Sequence, residues 1–258
     1  MSLRSRLEAG ETLCTAWSGV PDALTVEIVA AQGFDAVTLD MQHGGHGEDS
    51  VLRSIAPIRA AGKPAVVRIP VGRFDMASRA LDFGAEAVIA PMVNSVDDAR
   101  AFAAAMKYPP LGQRSWGPTF ASPRQGGGGD RSEWLPESNA RTMAFAMVET
   151  RAAVDALDGI LEVPGIDGIF LGPSDFSIAW SDGRTVDSTL EEMMETVAWV
   201  AARSRDAGKQ AAIFIVDPAI SGRLAAMGYR LLAMGSEHGL IARGAAALLA
   251  DVRKSLRA

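Results

Sequence analysis

MAFAMVET (143–150) and GIFLGPSDF (168–176) decide the fold between them. Each is an apolar run of strand length, and each ends in a carboxylate, Glu149 in the first and Asp175 in the second. Their hydrophobicity is continuous rather than alternating, as a parallel sheet covered on both faces requires. The chain between them has room for one helix. In a parallel α/β arrangement the C-terminal ends of neighbouring strands converge on one rim, which brings Glu149 and Asp175 together. Two hard oxygen ligands meeting there suit a divalent cation that keeps positions open for water and substrate.

The same rhythm extends in both directions. Further strands are expected at 12–17, 34–41, 64–70, 85–93, 210–216 and 230–235, with helical patterns between them that often end at glycine. The clearest helix is 188–207, where Leu190, Met193, Met194, Val197, Val200 and Ala201 recur on one apolar face. Eight strand–helix units in a chain of 258 residues predict a closed (β/α)8 TIM barrel, a single domain over 1–258. The competing doubly wound sheet usually carries a glycine-rich dinucleotide turn after an early strand, whereas the turn after the first strand here is SGVPDA (18–23). One stretch breaks the rhythm: residues 108–142, with four consecutive glycines at 126–129, are too long for an ordinary connection. Taken to follow the fourth strand, they are expected at the active rim, as a tolerated insertion, a lid or a subunit contact.

Composition narrows the function. A net charge of −6 and the lack of a basic stripe interleaved with aromatics argue against nucleic acid as a partner. No apolar run approaches the roughly 20 residues of a membrane span, and MSLRSRLEAGETL does not resemble a signal peptide, so a cytoplasmic protein is expected. Cys14, the single cysteine, agrees with a reducing compartment.

Besides the two carboxylates, the strand ends bring Trp17, Asp40, His43, Arg68, Gly172 and Ser174 to the rim. Any one of them reads equally as an ordinary solvated loop residue, but Arg68 follows apolar neighbours and would be a costly charge without a role. Asp40 and His43 are close enough for the carboxylate to orient and polarise the imidazole as a general base; a capping Asp and a solvated His are the plainer reading. His43 and His46 also have a spacing that occurs in zinc sites, weakly here on a glycine-rich loop without cysteines. A Schiff-base mechanism needs a lysine inside the rim. Lys63 and Lys209 precede strands, and Lys107 and Lys254 end helices, so a metal rather than an imine is left to stabilise a carbanion. Gly235–Ser236 stands where many barrels bind phosphate, and reads equally as a turn with a helix cap.

Taken together, GFDAVTLDMQHG (33–44), PAVVRIP (64–70), ALDFGAEAVIAPMV (80–93), KYPPLGQRS (107–115), VETR (148–151) and GIFLGPSDFS (168–177) resemble the HpcH/HpaI family of metal-dependent pyruvate aldolases, over residues 5–250. The resemblance implies cleavage of a 4-hydroxy-2-oxo acid to pyruvate, or an analogue such as hydroxypyruvate, plus an aldehyde, through a metal-stabilised enolate. It implies Mg2+, Mn2+ or Co2+ on Glu149 and Asp175, and substrate carboxylate on the N–H groups around Gly172, Ser174 and Asp175. Arg68 would stabilise the enolate and carbonyl oxygen, and the His43–Asp40 pair would move the proton of the aldol hydroxyl. Asp82 would lie at a subunit contact near the site, in a homo-oligomer (a hexamer, as a trimer of dimers) with exchanged C-terminal helices. Two positions depart from the family's usual residues: Gln42 replaces a common Glu, and Phe214 replaces a smaller aliphatic residue lining the aldehyde pocket. The alternatives are a phosphoenolpyruvate-type mutase or transferase, which needs a phosphate site, and a non-catalytic 2-oxo acid binder.

Overall fold

The computed structural model describes residues 1–125 and 131–257. Eight parallel strands close into a barrel in sequential order: β1 (Leu13–Ser18), β2 (Ala36–Asp40), β3 (Ala65–Arg68), β4 (Ala87–Ala90), β5 (Met143–Val148), β6 (Gly168–Leu171), β7 (Gln210–Ile215) and β8 (Leu231–Met234). The expected (β/α)8 barrel is the observed one. The strands are shorter than their apolar runs. Ile69 and Val93, for example, are fully buried but lie past the last ladder pair, because the rim loops pack back on the helices.

The helices are α1 (Leu3–Glu8), α2 (Ala23–Ala30), α3 (Glu48–Ala60), α4 (Asp75–Phe83), α5 (Val96–Met106), α6 (Ala121–Arg124), α7 (Arg131–Arg141), α8 (Arg151–Asp155), α9 (Leu157–Glu162), α10 (Pro173–Trp180), α11 (Met194–Asp206), α12 (Ser221–Met227) and α13 (Glu237–Ser255). The helix expected over 188–207 begins later, with a 3-10 turn at Glu191–Met193, and its methionines are core residues. The pleat divides the strand side chains between two cores. Even when both faces are apolar, alternate residues differ in destination: Ala16, Val37 and Leu39 pack under the helices, while Leu13, Trp17 and Ala36 point into the barrel. Leu3 and Leu7 of α1 join that inner cluster, so α1 plugs the N-terminal end.

Residues 108–142 correct an expectation. They follow α5, not β4 directly, and therefore leave the chain at the N-terminal face, opposite the rim. The Arg124 guanidinium donates to the carbonyl of Phe83 at 2.6 Å, and that of Arg114 pairs with Asp82 at 2.6 Å, both at the end of α4. The glycines at 126–129 lie outside the described residues.

Lys107 leads this segment. Its side chain is 1 % exposed and its ammonium reaches Asp167, just before β6, at 2.8 Å. It also donates to the carbonyls of Asn139 and Thr142 at 3.1 and 2.6 Å. Burial pushes its pKa down while Asp167 pulls it back up. Arg4 from α1 shares Asp167, so one carboxylate ties the plug, the segment and the barrel floor together. Lys107→Met strands part of that buried charge and is expected to cost about 3 kcal/mol in urea unfolding. A loss below about 1 kcal/mol would mean the pair behaves like an exposed one.

Candidate active site

Inward-facing residues at the C-terminal ends of the strands form a cavity of about 260 Å³, lined by Trp17, Asp40, His43, Arg68, Met147, Phe170, Gly172, Pro173, Ser174, Asp175 and Phe214. Asp40 and Arg68 are register partners on β2 and β3. The guanidinium grips the carboxylate with both prongs, Nε to Oδ1 at 2.8 Å and Nη2 to Oδ2 at 2.6 Å. Trp17 Nε1 donates to Oδ2 at 3.2 Å, and Arg68 lies over the Trp17 ring, 4.8 Å from its centroid. Burial alone would raise the Asp40 pKa, but Arg68, the Gln42 N–H and Trp17 together hold it below the usual carboxylate range.

This arrangement corrects the expected Asp40–His43 pairing. Both carboxylate oxygens are engaged, and Asp40 reaches His43 through the backbone N–H, at 3.3 Å. The carboxylate fixes the start of the loop; it does not polarise the ring. The exposed His43 imidazole lines the cavity. His46 is turned away, its ring nitrogens facing Ser18 and Ser50 at 3.0 and 3.1 Å, so the two histidines do not form a zinc pair.

Glu149 continues the inward series of Phe145 and Met147 just past β5. It is 2 % exposed and accepts the Met92 N–H at 2.8 Å. Met92 has a left-handed backbone, φ 54°, a strain that aims its N–H into the site. Glycine is required at 172: a Cβ there would lie 2.5 Å from Glu149 Oε2 and 2.6 Å from Met147 Cε. Its N–H does not fit the carboxylate-binding role expected of it, because it bonds the Val148 carbonyl at 3.3 Å. Pro173 has no N–H, so the remaining first-turn amides of α10 among the cavity-lining residues are those of Ser174 and Asp175.

Burial, followed by the nearby charge of Asp175, pushes the Glu149 pKa up to about 7 against the opposing Met92 N–H and Arg68. A buried carboxylate beside a second carboxylate is the electrostatic setting a divalent cation relieves. Asp175, on the exposed side, completes the pair. Among the described residues there is no cluster of three or more His, Cys, Asp or Glu fit to hold a metal, so a cation here would have two protein ligands and open positions.

Phe214 meets Trp17 edge-on at 5.2 Å and narrows one side of the cavity. Asp82 is far from it, at the opposite end of the barrel, where burial pushes its pKa up against the pull of Arg114. Met147 and Phe170 escaped the sequence reading, although counting in twos back from Glu149 and Gly172 finds both. Nothing in the sequence marks Met92.

The family model for HpcH/HpaI aldolase/citrate lyase matches residues 14–243. The chain belongs to that family. A hydroxypyruvate/pyruvate aldolase of Roseovarius nubinhibens is 34 % identical over 252 residues, covering 98 % of this chain and 96 % of the relative. A 2-keto-3-deoxy-L-rhamnonate aldolase of Salmonella gallinarum is 31 % identical, covering 89 % and 84 %. Among solved structures, an HpcH/HpaI aldolase from Desulfitobacterium hafniense superposes with a TM-score of 0.87 at 26 % identity, covering 98 % of this chain and 97 % of that one. The protein is thus a lyase of the aldolase type.

The Glu149 pKa gives a test of the carboxylate pair. In the metal-free native state this group holds a proton from about pH 4.5 to about 7 that the unfolded chain has already released. Native stability therefore falls as pH rises through that window, by up to about 3 kcal/mol. Urea unfolding in chelator is expected to show this fall in the wild type and not in Glu149→Gln; parallel profiles would remove Glu149 as its source.

Proposed function

We propose that the enzyme reversibly cleaves 4-hydroxy-2-oxo acids to pyruvate, or a close analogue such as hydroxypyruvate, and an aldehyde. Glu149 and Asp175 would hold a divalent cation, Mg2+, Mn2+ or Co2+. When bound, it supplies the electron sink that a 2-oxo acid needs at its keto oxygen. The observation that carries this reading is the buried carboxylate of Glu149 within the fields of Asp175 and Arg68, both of which line the cavity.

The remaining steps fall to side chains already in place. Arg68, fixed by Asp40, offers N–H groups to oxygen that gains charge as the carbon–carbon bond breaks, without having to reorganise. The amides of Ser174 and Asp175 receive the substrate carboxylate. His43, facing the cavity from the loop after β2, takes the proton of the aldol hydroxyl and returns it in the synthetic direction. Phe214 and Trp17 bound the aldehyde side, which favours short acceptors.

The phosphoenolpyruvate reading is disfavoured by how the basic residues are spent. Arg68 is neutralised by Asp40, and Arg73 and Arg114 pair with Asp75 and Asp82. At the usual phosphate position the Glu237 carboxylate itself occupies the Gly19 N–H, at 2.9 Å.

The reading extends to a homo-oligomer, a hexamer as a trimer of dimers. On α13, Ile241, Leu248, Leu249 and Val252 are all exposed, a surface suited to exchange with a neighbouring copy. Asp82, remote from the cavity of its own chain, would then serve at a subunit contact. Among the described residues no helix is long and apolar enough to cross a membrane; the reading takes the cytoplasm as the location.

Pyruvate in deuterium oxide, followed by NMR, tests the central step. Methyl protons are expected to exchange with Mn2+ or Mg2+ present and not with chelator; no exchange with pyruvate or hydroxypyruvate despite bound metal would overturn the reading. Arg68→Lys should lower kcat for cleavage by about 100-fold with metal affinity nearly unchanged, and full activity would remove Arg68 from the chemistry. Phe214→Ala is expected to raise kcat/KM for long aldehydes by about 10-fold relative to short ones. An unchanged ratio would free Phe214 of any role in selection.

A further inference from the structure

Behind the barrel wall, beside the cavity but outside it, lies a buried polar chain with no part in the chemistry above. Ser18, at the end of β1, places its hydroxyl 2.5 Å from Glu237 Oε1 and 3.0 Å from His46 Nε2. On the other side of the ring, Nδ1 lies 3.1 Å from the Ser50 hydroxyl. That hydroxyl donates to the Gly47 carbonyl at 3.0 Å and accepts the Gly47 N–H at 2.9 Å. Ser18, His46, Ser50 and Glu237 are each under 9 % exposed.

The donors and acceptors close into one chain. The Gly47 carbonyl already accepts the Val51 N–H at 2.9 Å, so the Ser50 hydroxyl can turn its hydrogen to Nδ1 of a neutral His46. Nε2–H then donates to the Ser18 hydroxyl, which donates to Glu237 Oε1. Every member finds a partner, as a buried polar chain must.

This chain fixes a loop that matters. Glu237 Oε2 accepts the Gly19 N–H at 2.9 Å, and the Gly19 carbonyl accepts the Gly45 N–H at 2.7 Å. A Cβ on Gly44 would come within 2.8 Å of the Gly19 Cα and 2.5 Å of the Asp40 carbonyl oxygen, so the two loops touch backbone to backbone. His43 sits in that loop with its ring exposed. The ring's aim is set by the loop.

We infer that Glu237 and His46 are positioning residues of the aldolase: hydrogen-bonded through Ser18, they tie the start of α13 to the loop after β2, so that His43 faces the cavity. The inference rests on the proton-transfer role given to His43 above. Burial pushes the His46 pKa down, against the charges of Glu237 on α13 and Asp40 at the end of β2, the charged groups that face it. Burial therefore favours the neutral ring, which serves the clamp as a hydrogen-bonding link between Ser50 and Ser18.

Two substitutions at one position test this in the full-length enzyme. A glutamine at 237 keeps an N–H donor for Ser18 and an oxygen for Gly19, with nothing to titrate; an alanine keeps neither. Glu237→Ala is expected to lower kcat for aldol cleavage by about 10-fold or more with KM for the oxo acid little changed, as for a displaced rather than a missing group. Glu237→Gln is expected to restore kcat, because the clamp keeps a hydrogen-bonding partner for both Ser18 and Gly19. Activity of Glu237→Ala equal to wild type, or equal impairment of both variants, would overturn the inference. Nitrogen-15 NMR of the ring nitrogens of His46 gives a readout independent of turnover, with His43→Gln and His238→Gln resolving the assignments. Both ring nitrogens should stay hydrogen-bonded and the ring should resist titration in the wild type and Glu237→Gln, and the ring should titrate freely in Glu237→Ala. Identical titration in all three overturns the clamp even in an active aldolase. If instead the ring behaves as expected while His43→Gln retains full kcat, it is the role of His43 that fails, and the positioning role falls with it.

Discussion

The charge pair between Asp40 and Arg68 is the constraint on which the rim depends. A guanidinium buried near the barrel axis is tolerable only if a carboxylate meets it with matching geometry, and adjacent parallel strands in this register supply that carboxylate directly opposite. The pair fixes how β2 and β3 end, seats the Trp17 ring against it, and gathers the first backbone N–H groups of the loop that follows. It also means that the cavity offers oriented donors without a large excess of positive charge. That is a better match for a 2-oxo acid beside a cation than for a phosphate.

Most of the barrel was legible because its signals are local and repeated. Eight apolar runs separated by helical patterns leave few other topologies, and a carboxylate closing two adjacent runs locates the rim. Which way a side chain faces was legible only in part. The parity of Trp17, Asp40, Arg68 and Phe214 is set by where each strand begins in the ladder, and uniformly apolar strands hide that register. Counting back from Glu149 would have exposed Met147, but only once Glu149 was known to face inward.

The errors share one cause. Partners distant in sequence compete for a group, and short-range spacing does not reveal the winner. Asp40 is three residues from His43 yet belongs to Arg68, 28 residues on. Gly172 stands in a motif that suggests an N–H donor, yet the sheet consumes that N–H, and what matters is the side chain it lacks. Distance from β4 alone suggests the rim for the segment that starts at Tyr108, but α5, in between, carries the chain to the other end of the barrel. Glu237, at the start of α13, joins residues from the far end of the chain, and no motif announces it.

The closed floor has a consequence for traffic. With α1 seated in the N-terminal opening and held there through Asp167, whatever enters the cavity comes and goes by the rim. Glu149 is buried, while His43 and Asp175 are exposed. A molecule held against the buried groups must therefore arrive before, and leave after, anything that comes to lie over it, so a single doorway makes the sequence of arrivals a property of the architecture.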